Sequence, residues 1–284
     1  MSLDIGEALG EGLSRLPTRP GAALVVAFAA VGLLSAVLSQ TLQVGALEAL
    51  LEAARAASPE QLGLTQAAYD EQTAALEAQL ETARASPLAL EAPPSVAAGG
   101  LIAVALVSEA VSIVAVRAFA ADDPATVGRE VVEGLGMATL NGFVGGVVVW
   151  VLVIAGSALL VVPGLFAAVG FYFLRQEVAL NDENALDALT ASWRLAKGNR
   201  IGVFTLALVV VVVSQLNLVV GLAVETASPV AAAVASAVVG GIVAAFGAAA
   251  VTRGYLQLTD VDESGTEAAS DPYDAALGPD DIPE

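Results

Sequence analysis

Residues 134–174 read GLGMATLNGFVGGVVVWVLVIAGSALLVVPGLFAAVGFYFL, 41 positions without a charge between Glu133 and Arg175. Crossing the hydrocarbon layer takes about 20 apolar residues. The stretch therefore has room for two crossings, 138–162 and 163–180, with VVPGLF at 161–166 predicting the turn between them. The second crossing is tight at 18 residues and requires Arg175 to reach back toward the interface. Whether it crosses decides the architecture, because it fixes the side of the membrane on which everything after it lies.

Working outward, charge-free runs predict further spans at 21–41, 201–224 and 229–252, and a span at 96–120 carries Glu109 and Arg117. With 57% hydrophobic residues and a mean hydropathy of +0.77, the chain belongs among membrane proteins. The predicted fold is all-α, a polytopic bundle of six transmembrane helices.

The connecting segments also read as helices. Residues 1–20 predict a cytoplasmic amphipathic helix, with Ile5, Leu9, Leu13 and Leu16 opposite Glu7, Glu11 and Ser14. Residues 42–95 predict a helical hairpin outside the bilayer. Its second helix starts at the Ser58-Pro59-Glu60-Gln61 capping pattern, and Leu62, Tyr69, Leu76 and Ala83 recur every seven residues along it. At 121–137 a cytoplasmic amphipathic segment opens with Asp123 as N-cap and Pro124 at the first helical position, and Asp122-Asp123 reads as a cap rather than a metal site. Residues 181–200 predict a third cytoplasmic helix, capped by NDEN, with Leu186, Leu189, Trp193 and Ala196 on one face and Gly198-Asn199 suited to a left-handed end. Residues 253–284, with nine acids after Arg253 and no base, predict a disordered cytoplasmic tail.

The eleven basic residues orient the bundle. With six spans and the N-terminus inside, Arg15, Arg19, Arg117, Arg129, Arg175, Arg194, Lys197, Arg200 and Arg253 are cytoplasmic, and only Arg55 and Arg84 are outside. If 163–180 did not cross, the cluster at 194–200 would face outward and this bias would collapse. Trp193, Arg194, Lys197 and Arg200 thus read as interfacial anchors. The acidic approach to the first apolar run, Asp4, Glu7 and Glu11, is unlike a signal peptide, so the first span is expected to stay attached.

Composition narrows the function. The chain has no cysteine and no histidine, which removes disulfides, thiolate and imidazole catalysis and His- or Cys-ligated metals. No P-loop or nucleophile elbow occurs, so no catalytic, cofactor-binding or metal residues are assigned and an enzyme is not expected. The net charge of −19 resembles that of proteins from salt-in halophilic archaea. At about 1 M salt the Debye length is about 3 Å, so the acidity need not mean a basic partner. No basic stripe points to nucleic acid.

From VPGLF through ALDALTASWRLAKGNR into the next span, residues 161–210, the chain resembles uncharacterised haloarchaeal multi-pass proteins related to the membrane domain of glycerophosphodiester phosphodiesterases. In that group a Pro-Gly turn, a span, an acidic cap, an AL…S..L..GN helix and another span follow in this order. The resemblance implies a six-helix membrane module. It does not imply the diesterase reaction, whose soluble barrel is missing from this sequence.

Two functions then compete. One is a non-catalytic membrane module whose partners are the lipid bilayer and a membrane or extracytoplasmic protein met through residues 42–95. Its support is three amphipathic helices, each preceding a pair of spans and together hinting at a threefold repeat. The other is a small-solute or lipid transporter using an intramembrane polar cluster of Glu109, Arg117, Gln215 and Asn217, with Asn141 also inside a span. Ala232, Ser236, Gly240, Ala244 and Ala248 form a small-residue stripe that predicts close packing of the last span.

Overall fold

A computed structural model describes residues 3–86, 88–123, 127–225 and 228–269. Its described residues form ten α-helices, one 3₁₀ turn and no strand: α1 (Ile5–Arg15), α2 (Arg19–Ala56), α3 (Gln66–Arg84), α4 (Pro94–Ala120), the turn Arg129–Val132, α5 (Leu135–Leu159), α6 (Val161–Gly170), α7 (Leu174–Leu180), α8 (Ala185–Lys197), α9 (Arg200–Glu225) and α10 (Pro229–Ala269). Five of these, α2, α4, α5, α9 and α10, are long and apolar enough to cross a membrane.

The sixth predicted span is folded differently. Residues 163–180 do not form one helix: α6 and α7 are separated at Phe171–Phe173. The turn expected at 161–166 is a single extended residue, Leu160, and Pro163 lies inside the first turn of α6, where its missing N–H costs nothing. Two connecting segments also differ from expectation. The described part of 121–134 holds only the 3₁₀ turn, followed by Gly134 in the left-handed region at φ 61°; Pro124 lies outside the described residues. Helix α10 does not end at Arg253 but continues to Ala269, because Tyr255 and Leu258 just beyond it are buried in the core. Residues 270–284, also predicted to be disordered, lie outside the description.

The chain divides into two compact units. One comprises Met1–Gly21, Ile113–Val211 and Phe246–Glu284, the other Ala22–Ser112 and Val212–Ala245. In the first unit, a core of Leu3, Val169, Phe173, Val203, Leu206, Val251, Tyr255 and Leu258 joins α1, α6, α9 and α10. A second core of Ile113, Val116, Ala138, Leu174, Val178, Ala179, Ala188 and Leu189 joins α4, α5, α7 and α8. Helix α1 is capped by the Asp4 carboxylate, which accepts the Glu7 N–H at 2.9 Å. It meets α10 backbone to backbone at Gly12, where a Cβ would stand 2.8 Å from the Ala250 nitrogen.

In the second unit, α2 and α3 form the expected hairpin. Leu51 and Leu80 are buried between them, Tyr69 Oη donates to the Ala54 carbonyl at 3.1 Å, and Arg55–Glu77 and Arg84–Glu48 pair at 2.6 and 2.7 Å. The leucines, worth about 1.5–3 kcal/mol each on burial, outweigh exposed ion pairs worth about 0.2–1 kcal/mol. The Ser58–Gln61 capping contacts do form, with both backbone N–H groups taken by the opposite side chain. They close only a turn: Gly63 at φ 68° reverses the chain, and Thr65 then caps α3 by accepting from the Ala68 N–H.

Candidate functional site

In the first unit the polar side chains gather at one end. Arg117, in the last turn of α4, spreads its guanidinium over four acceptors. Nε donates to the Ala179 carbonyl at 2.7 Å, Nη1 to those of Glu133 (2.5 Å) and Val131 (3.3 Å), and Nη2 to the Asp182 carboxylate at 2.9 Å. One residue thus ties the end of α4 to the start of α5 and the end of α7. Asp182 makes this reach from the left-handed region, φ 51°, which aspartate tolerates better than most residues. Beside it Arg15 donates to the carbonyls of Ala121 and Asp122, completing the end of α4, and Arg253 pairs with Glu11.

A second knot lies between α7 and α10. Glu177, 4% exposed, accepts at Oε2 from Asn181 Nδ2 (2.7 Å) and Tyr255 Oη (3.1 Å), and Asn181 also donates to Tyr255 Oη (2.9 Å). The neighbouring Gln176 is buried, its Oε1 without a hydrogen-bond partner among the described residues. The Glu183 carboxyl, in the α7–α8 loop, is pushed above its ordinary range by burial and by the negative charge of Asp187. Because the Glu177 oxygen already accepts two hydrogen bonds, the arrangement acts as a clasp between helices. Among the described residues no group of three or more carboxylates is placed to hold a metal ion.

The anchors divide. Arg194 and Lys197 are exposed. Trp193 stands between Phe166 and Phe171, with ring centroids 5.3 and 5.2 Å away, and covers Gly170. Arg200 lays its guanidinium over Phe166 at 4.2 Å and near Trp193 at 5.2 Å; these rings are its compensation, since its Nε is buried without a hydrogen-bond partner among the described residues. Ser192 explains how the chain tolerates the gap between α6 and α7. Its hydroxyl accepts the Phe173 N–H at 3.1 Å and donates to the Gly170 carbonyl at 3.3 Å, satisfying two backbone groups that the broken helix leaves over. The left-handed ending expected at Gly198 is absent, its φ being −84°.

Of the predicted intramembrane cluster, Arg117 makes its hydrogen bonds to residues outside the set. Arg117, about 12 Å further along α4 than Glu109, is taken up by the loop carbonyls instead. Glu109 is buried in the second unit, Gln215 is exposed, and Asn217 faces α10 at Gly240, where a Cβ would stand 3.4 Å from Nδ2. Sequence reading missed the Glu177–Asn181–Tyr255 knot. A carboxylate and an amide four apart at the close of an apolar run were the available signal, but Tyr255 lay in what read as the tail.

These five long apolar helices define an all-helical membrane protein. Within that class, the chain belongs to the family described as Domain of unknown function (DUF7847), which it matches over residues 3–258. No curated protein and no solved structure matches it.

Proposed function

We propose that this chain is a non-catalytic membrane module that organises lipid or a partner protein, with both termini cytoplasmic and the α2–α3 hairpin on the opposite side. The observation that carries the reading is how α1 and α8 are held. Each buries one face in the first unit, at Ala8 and Gly12 in α1 and at Ala188, Leu189, Ala191, Ser192 and Ala196 in α8, yet keeps a leucine outward: Leu13 is 60% exposed and Leu186 73%. Helices held this way at span ends place apolar side chains at the depth of lipid headgroups. The conspicuous charges serve that arrangement, Arg253 holding Glu11 and Arg117 holding the loops.

An even number of crossings is supported by the same contacts. Arg117 touches the end of α4, the start of α5 and the end of α7 at once, while Arg253 of α10 meets Glu11 of α1. The broken α6–α7 arm therefore returns to the end from which α5 departs. Kinship with the membrane domain of glycerophosphodiester phosphodiesterases belongs to the same proposal, supported by Ser192, the serine of the AL…S..L..GN pattern, seated in the α6–α7 break.

The test is reconstitution of the full chain in lipid vesicles, with lipid order read by an interfacial fluorescent dye and proton and cation flux read in parallel. The expected result is a protein-dependent change in order that Leu13→Asp and Leu186→Asp weaken, with flux equal to that of empty vesicles. Flux abolished by Glu109→Gln would overturn the module reading in favour of a transporter.

A further inference from the structure

Arg194, Lys197 and Arg200 meet at the corner where α8 gives way to α9, and the structure treats the three cations differently. Arg194 lies near the carboxyls of Glu177 and Glu183, which its charge attracts. Lys197 is exposed and makes no ion pair among the described residues. Arg200, which makes none either, is held over Phe166 and Trp193 at 4.2 and 5.2 Å from the ring centroids. A ring face attracts the positive charge but takes up none of the N–H donors in the guanidinium plane. Nε has no exposure and no acceptor among the described residues, whereas the side chain as a whole is only half-buried, so the Nη edge is the part that meets the surroundings. In a chain with 30 acids and 11 bases, two cations three residues apart are thus left without an anion. Trp193 and Lys197 stand one turn apart on α8, which brings the indole, the ammonium and the guanidinium to the same corner.

We propose that this corner binds the headgroup of an anionic phospholipid, its phosphate oxygens accepting from the Arg200 Nη edge and from Lys197 Nζ. The proposal rests on the module reading and names the lipid class it acts on. Phosphate is the matching group because two of its oxygens suit the planar fork of a guanidinium. Lipid is the source because Arg200 opens a candidate span, so the corner stands at a span end, where headgroups lie. The rim of the corner is apolar as well: Ile201, the next residue, is 84% exposed, and Phe166 is exposed beside it. A free phosphate has no use for that rim, whereas the upper part of an acyl chain covers it. A choline headgroup brings its own cation and is disfavoured next to two others.

The experiment uses the full chain in phosphatidylcholine nanodiscs with Trp150→Phe, which leaves Trp193 as the sole tryptophan. Acyl-brominated phosphatidylglycerol or acyl-brominated phosphatidylcholine is added at the same low mole fraction, and quenching of Trp193 is read. Phosphatidylglycerol should quench as phosphatidylcholine does at about fivefold higher mole fraction, the worth of one cation near an anionic lipid. Lys197→Gln, a change at an exposed position, should cut this preference about twofold or more, and Lys197→Gln with Arg200→Gln should leave the two lipids equal. Equal quenching in the parent, a preference unchanged by Lys197→Gln, or a preference abolished by inorganic phosphate at constant ionic strength would each overturn the proposal, the last by showing a site for a free anion. The parent and Lys197→Gln decide the matter even where Arg200→Gln fails to fold. Equal quenching leaves the lipid-order result of the module reading standing, whereas Glu109-dependent flux would remove that reading and leave the headgroup preference.

Discussion

At the scale of single residues, Arg117 joins α4 to the approach of α5 and the end of α7 through four hydrogen bonds. Its ion pair with Asp182 is a minor part of this, because Asp182 is 78% exposed and such pairs contribute about 0–1 kcal/mol. The larger part is the satisfaction of backbone carbonyls by a guanidinium only 11% exposed. Arg117→Ala should therefore destabilise the purified chain by about 3 kcal/mol, measured by unfolding in detergent. Arg117→Lys should recover less than half of that, since one ammonium cannot span four acceptors. A loss from Arg117→Ala no larger than an exposed pair would cost would show that the carbonyls find other donors. Arg117 and Glu109 stood out in the sequence because a charge inside an apolar run is conspicuous. The partners of Arg117 did not, since backbone carbonyls from three separate elements leave no trace in residue type. Glu177 was hidden for the opposite reason: placed two positions after Arg175 at the close of an apolar run, it looks like an ordinary boundary charge.

At the scale of helices, α10 packs through the small-residue stripe and through the face beside it: Ala232 is buried, Ser236 lies 2.9 Å from where a Cβ on Gly221 of α9 would stand, and Gly240 faces Asn217. Of the stripe at 232, 236, 240, 244 and 248 only Ala244 is exposed, and Gly241, Ala245 and Ala249, one residue or about 100° around the helix, are buried as well. Gly241 is the closest approach: a Cβ there would stand 2.5 Å from the Val25 carbonyl oxygen and 2.8 Å from Ala29 Cβ. Gly241→Leu should thus disrupt the α2–α10 contact and lower stability by at least about 1–3 kcal/mol, the usual cost of overpacking. Gly240→Ala, which meets only an ordinary contact with Asn217, should melt within a degree or two of the parent. Equal melting of the two variants would show that Gly241 does not form the contact. The choice of register is hard to read because α10 is rich in alanine and glycine on every side, so neighbouring faces offer equally small surfaces. The 163–180 segment misled for a related reason: hydropathy records that the residues are apolar, not that Ser192 on another helix can take over the backbone groups of a break.

At the scale of the molecule, the proposed topology makes a direct prediction in a chain without cysteine. Glu60→Cys should react with an impermeant thiol reagent in intact cells, and Ser264→Cys only after permeabilisation. Reaction of both in intact cells would mean an odd number of crossings and would separate the α6–α7 arm from the side assigned to it.

The sequence by itself determined that this is an all-helical membrane protein, where its long helices lie and that a charged hairpin interrupts them, because length, apolarity and charge spacing are local properties that the bilayer reads one segment at a time. The tertiary structure decided what depends on neighbours. It broke 163–180 at a serine-satisfied gap, carried α10 past Arg253 through the burial of Tyr255 and Leu258, moved Arg117 from an intramembrane cluster to a loop clamp, and laid Arg200 over Phe166 and Trp193. Each of these turns on which groups from distant parts of the chain come within hydrogen-bonding or packing distance, and periodicity along one helix carries no record of that.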